Sequence, residues 1–366
     1  MGDGDKLEKE DVLMTAERDT TAQKEVSDST QPEILVVEEK EGEPGTEEVD
    51  GIVDNYKDLR AGTFNMNSIV SMHRKKKLWQ FLSRTQLDVV FITELRTDRH
   101  RARKKIKGFE KKLKALEYNH IVWNDSQKKG HYGTAVFSKL PISYRKMKVN
   151  DTVADNEGRI IIAQIGRVKY LLTYVPVAGF DTAKCEKRKA FDKLIDRVIT
   201  EEKEGGMPLV WVGDLNICPE WKDIDTNMRG APELRTHSIQ EWPGCTEWER
   251  SNFNEILEKH EMVDVYNYYH PKGGSSGYTW APTHRQHLRG IGARLDYVIA
   301  PQHMLKPSRV GPWIDSLYVD RAQMGSDHVP LLWIVRNGKV APHNTEELEQ
   351  TTLESRESVH GRVCTA

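Results

Sequence analysis

The chain is poor in cysteine and in long apolar runs. Its 366 residues include four cysteines, Cys185, Cys218, Cys245 and Cys364. No two of them stand in a CxxC pair or at zinc-ligand spacing, so neither a zinc ribbon nor a disulfide scaffold is expected. A reduced intracellular chain is the simplest reading. No stretch approaches the roughly eighteen apolar residues of a membrane span. The N-terminal stretch lacks the apolar core of a secretion signal and the Arg-rich, acid-poor character of a transit peptide. No Gly-x-Gly-x-x-Gly follows a strand pattern, which disfavours a Rossmann fold. The Gly-x-Ser-x-Gly elbow of serine hydrolases is also missing.

Apolar residues make up 37% of the chain and are unevenly spread. Residues 1–57 are crowded with Glu, Asp, Thr and Lys and cannot bury enough surface to offset chain entropy, so they read as a disordered acidic tail. Residues 338–366 read as a second, shorter tail. Between them, residues 58–337 are expected to form one catalytic domain. The net charge of −2 hides an asymmetry. Residues 1–58 hold 19 Asp and Glu against 6 Lys and Arg, and residues 341–366 hold 5 against 2. Of 56 acidic and 54 basic residues, 32 and 46 therefore remain in the core, a net of +14. A core this basic suits a polyanion whose phosphates it neutralises.

Short apolar runs bounded by turn signals read as strands at Leu59–Asn65, Asp88–Thr93, Thr134–Ser138, Arg159–Ile165, Tyr170–Val175, Pro208–Val212, Arg294–Ile299 and Val329–Val335. Several are apolar on both faces, as when helices cover one side of a sheet and a second sheet covers the other. Helical patterns lie between them at Lys75–Ser83, Arg101–Leu116, Lys184–Thr200 and Glu247–His260. The last is preceded by Thr246, with Glu249 at capping-box spacing. The expected class is α/β with mixed sheets.

Polar residues gather at the ends of these strands. In Gly213-Asp214-Leu215-Asn216 a buried strand releases a carboxylate and a carboxamide at i and i+2, which an extended chain projects to one side. Taken alone, this is more often an Asx turn. Asn65 and Asn67 repeat the spacing, Glu94 follows Phe91-Ile92-Thr93, and Gly325-Ser326-Asp327-His328 precedes the last strand. Asp296 sits inside an apolar strand, where an unpaired carboxylate would cost several kcal/mol, so it needs a partner, most simply a histidine N–H. Together these side chains are hard oxygen donors that suit Mg²⁺ or Mn²⁺, and zinc is disfavoured.

The order of these motifs resembles the exodeoxyribonuclease III and apurinic/apyrimidinic (AP) endonuclease family, within the endonuclease/exonuclease/phosphatase fold. Phe64-Asn65-Met66-Asn67, Thr93-Glu94, Gly130–Ala135, Asp155–Arg159, Tyr174–Gly179, Gly213–Asn216, Gly244–Arg250 and Gly325–His328 match its motifs in sequence, from about Leu59 to Val335. The resemblance implies a four-layered α/β sandwich, with two mixed sheets face to face and helices outside. It implies a Mg²⁺-dependent phosphodiesterase, with Mn²⁺ able to substitute, acting on double-stranded DNA with abasic sites or 3′ blocks. RNA is a further possible partner, and a monomer in an intracellular, nuclear setting is expected.

The resemblance also assigns roles. Tyr174, Asp214, Asn216, Asp296 and His328 are the catalytic set, and Asn65, Asn67, Glu94, Asp214, Asn216, Asp327 and His328 face the metal. Within these, Asp214 orients or deprotonates water, His328 donates to a phosphate oxygen with Asp296 fixing its tautomer, and Tyr174 approaches the phosphate or leaving group. Arg188 and Trp280 are candidate DNA contacts, as is the basic run Arg96–Lys114 beside Glu94. Some positions depart from the family pattern. Thr93 stands where Gln is usual, and Ala293 where some abasic-site enzymes carry a bulky residue against the sugar. Other phosphodiesterases of the fold remain open, namely a retroelement-type nickase, an RNA deadenylase or a tyrosyl-DNA phosphodiesterase. So does a non-catalytic nucleic-acid-binding scaffold.

Overall fold

A computed structural model describes residues 58–146, 157–225, 237–308 and 311–337. Both expected tails lie outside these residues.

Twelve strands form two six-stranded sheets. The first contains β1 (Leu59–Asn65), β2 (Val89–Thr93), β3 (His120–Asn124), β4 (Thr134–Ser138), β11 (Pro312–Val319) and β12 (Leu331–Asn337), in the order β11-β12-β1-β2-β4-β3. The second contains β5 (Ser143–Lys146), β6 (Ile160–Ile165), β7 (Val168–Tyr174), β8 (Leu209–Asp214), β9 (Met262–Asp264) and β10 (Asp296–Pro301), in the order β5-β6-β7-β8-β10-β9. Each sheet is mixed, because β1 pairs parallel to β2 and β7 parallel to β8 among antiparallel neighbours.

The period-2 alternation of side chains explains why so many strands are apolar on both faces. In β2, Val89 and Phe91 join a core shared with Tyr170, Leu172, Val210, Val298 and Trp333 from across the two sheets. Val90 and Ile92 point the other way, into a cluster with Phe81, Leu82, Phe109 and Leu113 from the helices. In β7 and β8, Leu171 and Trp211 turn outward against Phe191, Ile195, Phe253 and Ile256. Phe91 bridges the sheets, stacking on Trp333 with centroids 5.9 Å apart and tilting onto Tyr170 at 4.9 Å. Each such side chain, once buried, contributes about 1.5–3 kcal/mol. The layers are thus helix, sheet, sheet, helix, as the sequence predicts.

The helices covering the first sheet are α1 (Ile69–Arg74), α2 (Lys77–Thr85), α3 (Arg99–Lys105) and α4 (Phe109–Ala115). The second sheet is covered by α5 (Thr182–Glu204) and α6 (Glu247–Lys259), while α7 (Val265–Tyr269) and α8 (His284–Leu288) are short connectors. Two expected helices have different bounds. The pattern from Arg101 to Leu116 is divided, because α3 ends at Lys105 with Ile106 as its cap and Gly108, left-handed at φ 69°, opens α4. The pattern at Lys75–Ser83 begins only after Lys76, which is also left-handed at φ 61°. Among the described residues, no helix is long and apolar enough to cross a membrane.

Candidate active site

Strand register brings the polar strand ends together. Asn65 pairs with Thr93 across β1 and β2, so Glu94 emerges beside Asn65. In the second sheet Tyr174 pairs with Asp214, and Asp214 with Asp296. His328 joins them through a bridge to Trp280, which itself bridges to Ala293 just before β10. All but Asp296 line or border one cleft of about 540 Å³, walled on its apolar side by Trp242, Trp280, Ile224 and Ala293.

The i, i+2 pairs do not arise as the sequence predicts. Each strand stops at the first polar residue, and the second is left-handed, with φ 43° at Asn67 and 46° at Asn216. The Asn67 N–H donates to Asn65 Oδ1 (3.0 Å) and the Asn216 N–H to Asp214 Oδ1 (3.1 Å), so both pairs are Asx turns. These turns help build the site, because they fix the first side chain of each pair. Gly213, at φ 126°, allows the close approach this needs, since a Cβ there would lie 2.1 Å from Thr173 O.

Asp214 is 2% exposed. Its Oδ2 accepts from Asn65 Nδ2 at 2.9 Å and lies 3.9 Å from His328 Nε2. Burial first, and then the Asp296 charge, push its pKa up to about 7 against the pull of His328 and Asn65. Asp296 is fully buried and has the partner it requires, with its Oδ2 2.7 Å from His328 Nδ1. Burial alone would lower the His328 pKa. The charge and hydrogen bond of Asp296, followed by Asp214 and Asp327, outweigh it and raise the pKa to about 10. Asp327 accepts from Asn67 Nδ2 at 2.6 Å and from Trp280 Nε1 at 3.3 Å. Asn216 Nδ2 donates to Val175 O at 2.8 Å.

Two expected roles change. The Tyr174 hydroxyl donates to Glu94 Oε1, and burial first and Glu94 next hold its pKa well above the ordinary value. Tyr174 therefore stays protonated and orients Glu94, and its hydroxyl is not free to approach a leaving group. Arg188 is not a DNA contact. It is 2% exposed, donates to Asp192 Oδ1 (2.8 Å) and Asn216 O (3.0 Å), and supports the Asp214–Asn216 turn from behind. Its place on α5 explains this, because Arg188, Phe191, Asp192 and Ile195 repeat at i, i+3, i+4 and i+7 along the buried face. Part of the basic run is also engaged, since Arg99 and Arg103 pair with Glu110 and Arg101 with Asp98. Trp280 does line the cleft, as expected.

The sequence reading named Arg96 only as the start of the basic run, and it did not single out Arg159 or Arg294. Arg96 lies in the cleft wall with its Nη2 3.2 Å from both Glu94 oxygens. Arg159 is buried, donates to Tyr174 O at 2.6 Å, and lies over Tyr132 at 4.2 Å and Tyr174 at 4.7 Å. Arg294, 2% exposed and two residues before Asp296, is clamped by Asp223 at 2.8 Å and by Asp264 at 2.5 Å. Arg159 and Arg294 stand beside strand starts, where a buried cation requires carboxylate or carbonyl partners, and that was the signal available. Arg294→Met would leave two buried carboxylates unpaired. It is expected to cost about 3–5 kcal/mol, read as a lower urea midpoint, and a loss under 1 kcal/mol would contradict the clamp.

Asp214, Asp296 and His328 place potential ligand atoms within 4.8 Å of one another, but Asp296 occupies His328 Nδ1 and holds the ring charged, so the metal role expected of His328 passes to the carboxylates. Glu94 and Asp327 add carboxylates along the same cleft.

Comparison with known proteins agrees with this geometry. Residues 62–328 match the model of the Endonuclease/Exonuclease/phosphatase family. A Plasmodium falciparum protein named DNA-(apurinic or apyrimidinic site) endonuclease is 27% identical over 341 residues, covering 75% of this chain and 54% of that protein. The Bacillus subtilis exodeoxyribonuclease is 24% identical and covers 75% of this chain and 98% of its own length. The chain spans about half the length of the first curated relatives it matches. In three dimensions, an AP endonuclease from Leishmania major superposes with a TM-score of 0.63 at 20% identity, over 77% of this chain and 88% of that one. One from Archaeoglobus fulgidus superposes at 0.58 and 25% identity, over 75% and 98%. With twelve strands in two facing mixed sheets and a family match across nearly the whole described core, the chain belongs to the endonuclease/exonuclease/phosphatase family.

Proposed function

We propose that this chain is a Mg²⁺-dependent phosphodiesterase that cuts the DNA backbone at abasic sites, with 3′-exonuclease action as a companion activity. The observation that carries the reading is the convergence of Asp214, the Asp296–His328 pair and Glu94 on one cleft with an aromatic wall. The relatives named above as AP endonucleases and exodeoxyribonuclease support the choice of DNA.

The donor set fits a hard divalent cation. Three carboxylates, Glu94, Asp214 and Asp327, line the cleft with carboxamides and no thiolate among these oxygen donors, and their mutual repulsion favours a cation between them. Glu94, steadied by Tyr174, would hold it, with Asp327 and Asn67 alongside. When bound, the ion neutralises charge on the phosphate and the leaving oxygen. The chain's own residues do the rest. Asp214, fixed by Asn65 and Asn216, orients a water and accepts its proton. His328, charged through Asp296, has Nδ1 occupied and no free lone pair for a metal, so its Nε2–H donates to a non-bridging phosphate oxygen. Trp280 and Trp242 face the sugar across the apolar wall.

A duplex carrying a tetrahydrofuran abasic analogue tests the reading. Incision on the 5′ side is expected with Mg²⁺, and none with EDTA. Uncut duplex in Mg²⁺ or Mn²⁺, or cutting that survives EDTA, would remove the proposal.

A further inference from the structure

Outside the catalytic residues, the cleft wall contains an unusual feature, two buried cysteines side by side. Cys218 and Cys245 are 1% and 2% exposed, and both are free thiols. They share one small apolar cluster with Trp242, Ile224 and Ala293. The Cys218 thiol donates to Arg294 O at 3.9 Å, on the same wall. The backbone holds the two cysteines together, because the Cys218 N–H donates to the carbonyl of Gly244, the residue before Cys245, at 2.7 Å. Such a bond lays the two cysteine-bearing segments side by side, and a disulfide needs its Cα atoms within about 4.4–6.8 Å. Both residues also line the cleft, so a small oxidant there has only a short way to travel to them.

We infer that Cys218 and Cys245 form a modification site, a dithiol that closes to a disulfide when a peroxide reaches it through the cleft. Cys245 is the first sulfur to react. The neighbouring Cys218 holds its thiol below the ordinary value against burial, with Arg250 assisting, and Arg250 is anchored by Nε to Cys218 O at 2.8 Å. The Cys245 thiolate attacks one peroxide oxygen. A sulfenic acid forms, and the departing hydroxide takes up a proton as water. The Cys218 sulfur then attacks the sulfenic sulfur, its proton leaves with the hydroxyl as a second water, and the S–S bond forms. Two thiols lose two electrons in all, and the peroxide gains them. A dithiol reductant reverses the change by exchange.

The new bond draws the Gly244–Cys245 segment onto the loop that follows Asn216. Contact there is already close, since a Cβ on Gly244 would lie 2.9 Å from Asn216 O. If the nuclease reading above holds, closure displaces Asn216 and lowers cleavage by about tenfold or more, because small misplacements of catalytic groups are costly.

The full chain, treated with hydrogen peroxide in native buffer, is digested and mapped by mass spectrometry without reduction. The expected result is a Cys218–Cys245 linked peptide lighter by two hydrogens, lost on dithiothreitol treatment and absent in Cys245→Ser. A link through Cys185 or Cys364 in its place, or irreversible oxidation of Cys245 with no link, would overturn the inference. The linkage is read without any substrate. A chain that cuts no DNA in either redox state would therefore sink the nuclease reading and leave this result to stand on its own.

Discussion

Asp214→Asn is expected to lower turnover on an abasic duplex by about 10²–10⁴-fold while leaving the folded chain at least as stable as the parent. The two halves of this expectation have one cause. Ionised Asp214 is buried beside Asp296, and that burial and repulsion raise its pKa to about 7. A group held in this way favours accepting a proton from water near neutrality and opposes folding while it is charged. Asparagine keeps the shape, and its oxygen can still accept from Asn65 or from the Asn216 N–H. It offers no charge to take the proton. With EDTA present, the unfolding midpoint should rise by about 2–4 °C for each kcal/mol of repulsion removed. Lost activity with a lowered midpoint would mean that Asp214 is a structural residue whose removal damages the fold. Retained activity would move the base elsewhere.

The parts of the fold legible in the sequence were those whose physics is local. β2, β8 and β10 are buried at every position, so each reads as a mainly apolar run, and their boundaries shift by only a few residues. β3 and β5 close opposite ends of the two sheets, β9 and β11 the others, and none of the four was foreseen. β5 is a polar Ser-Tyr-Arg-Lys, β9 has only three residues, and the β11 register slips between Ile314 and Ser316. Edge strands pair on one side only, so their sequences are under weaker constraint. The same division runs through the site. Asn65, Glu94, Asp214, Asp296, Asp327 and His328 were legible because a polar residue ending or interrupting a buried strand must be satisfied by something. Arg188 was misread because a Lys-Arg-Lys cluster looks exposed until the 3.6-residue period is applied to its apolar neighbours. The support that Tyr174 gives Glu94 depends on contact across the two sheets, which no local pattern encodes.

The Asp296–His328 pair permits a sharper test, because its two members should fail as a unit. Asp296→Asn is expected to reduce turnover by about 10²–10³-fold, the usual loss when one donor to a developing oxyanion is removed. The amide oxygen can still accept from Nδ1–H, 2.7 Å away in the parent, so the ring keeps its orientation. The negative charge is gone, however, and that charge is what raises His328 against a burial that lowers it. A neutral ring with its proton on Nδ1 presents a lone pair at Nε2, toward the phosphate, where a donor is needed. His328→Ala should lose a comparable amount, and the double variant should lose no more than the worse single one, since the same donor cannot be removed twice. Stability should show the converse pattern. His328→Ala leaves Asp296 buried without its cation and is expected to cost about 3–5 kcal/mol, whereas adding Asp296→Asn to it should recover part of that loss. Activity losses that multiply, or an Asp296→Asn variant within twofold of the parent, would show that the two residues act separately and that His328 does not need its charge.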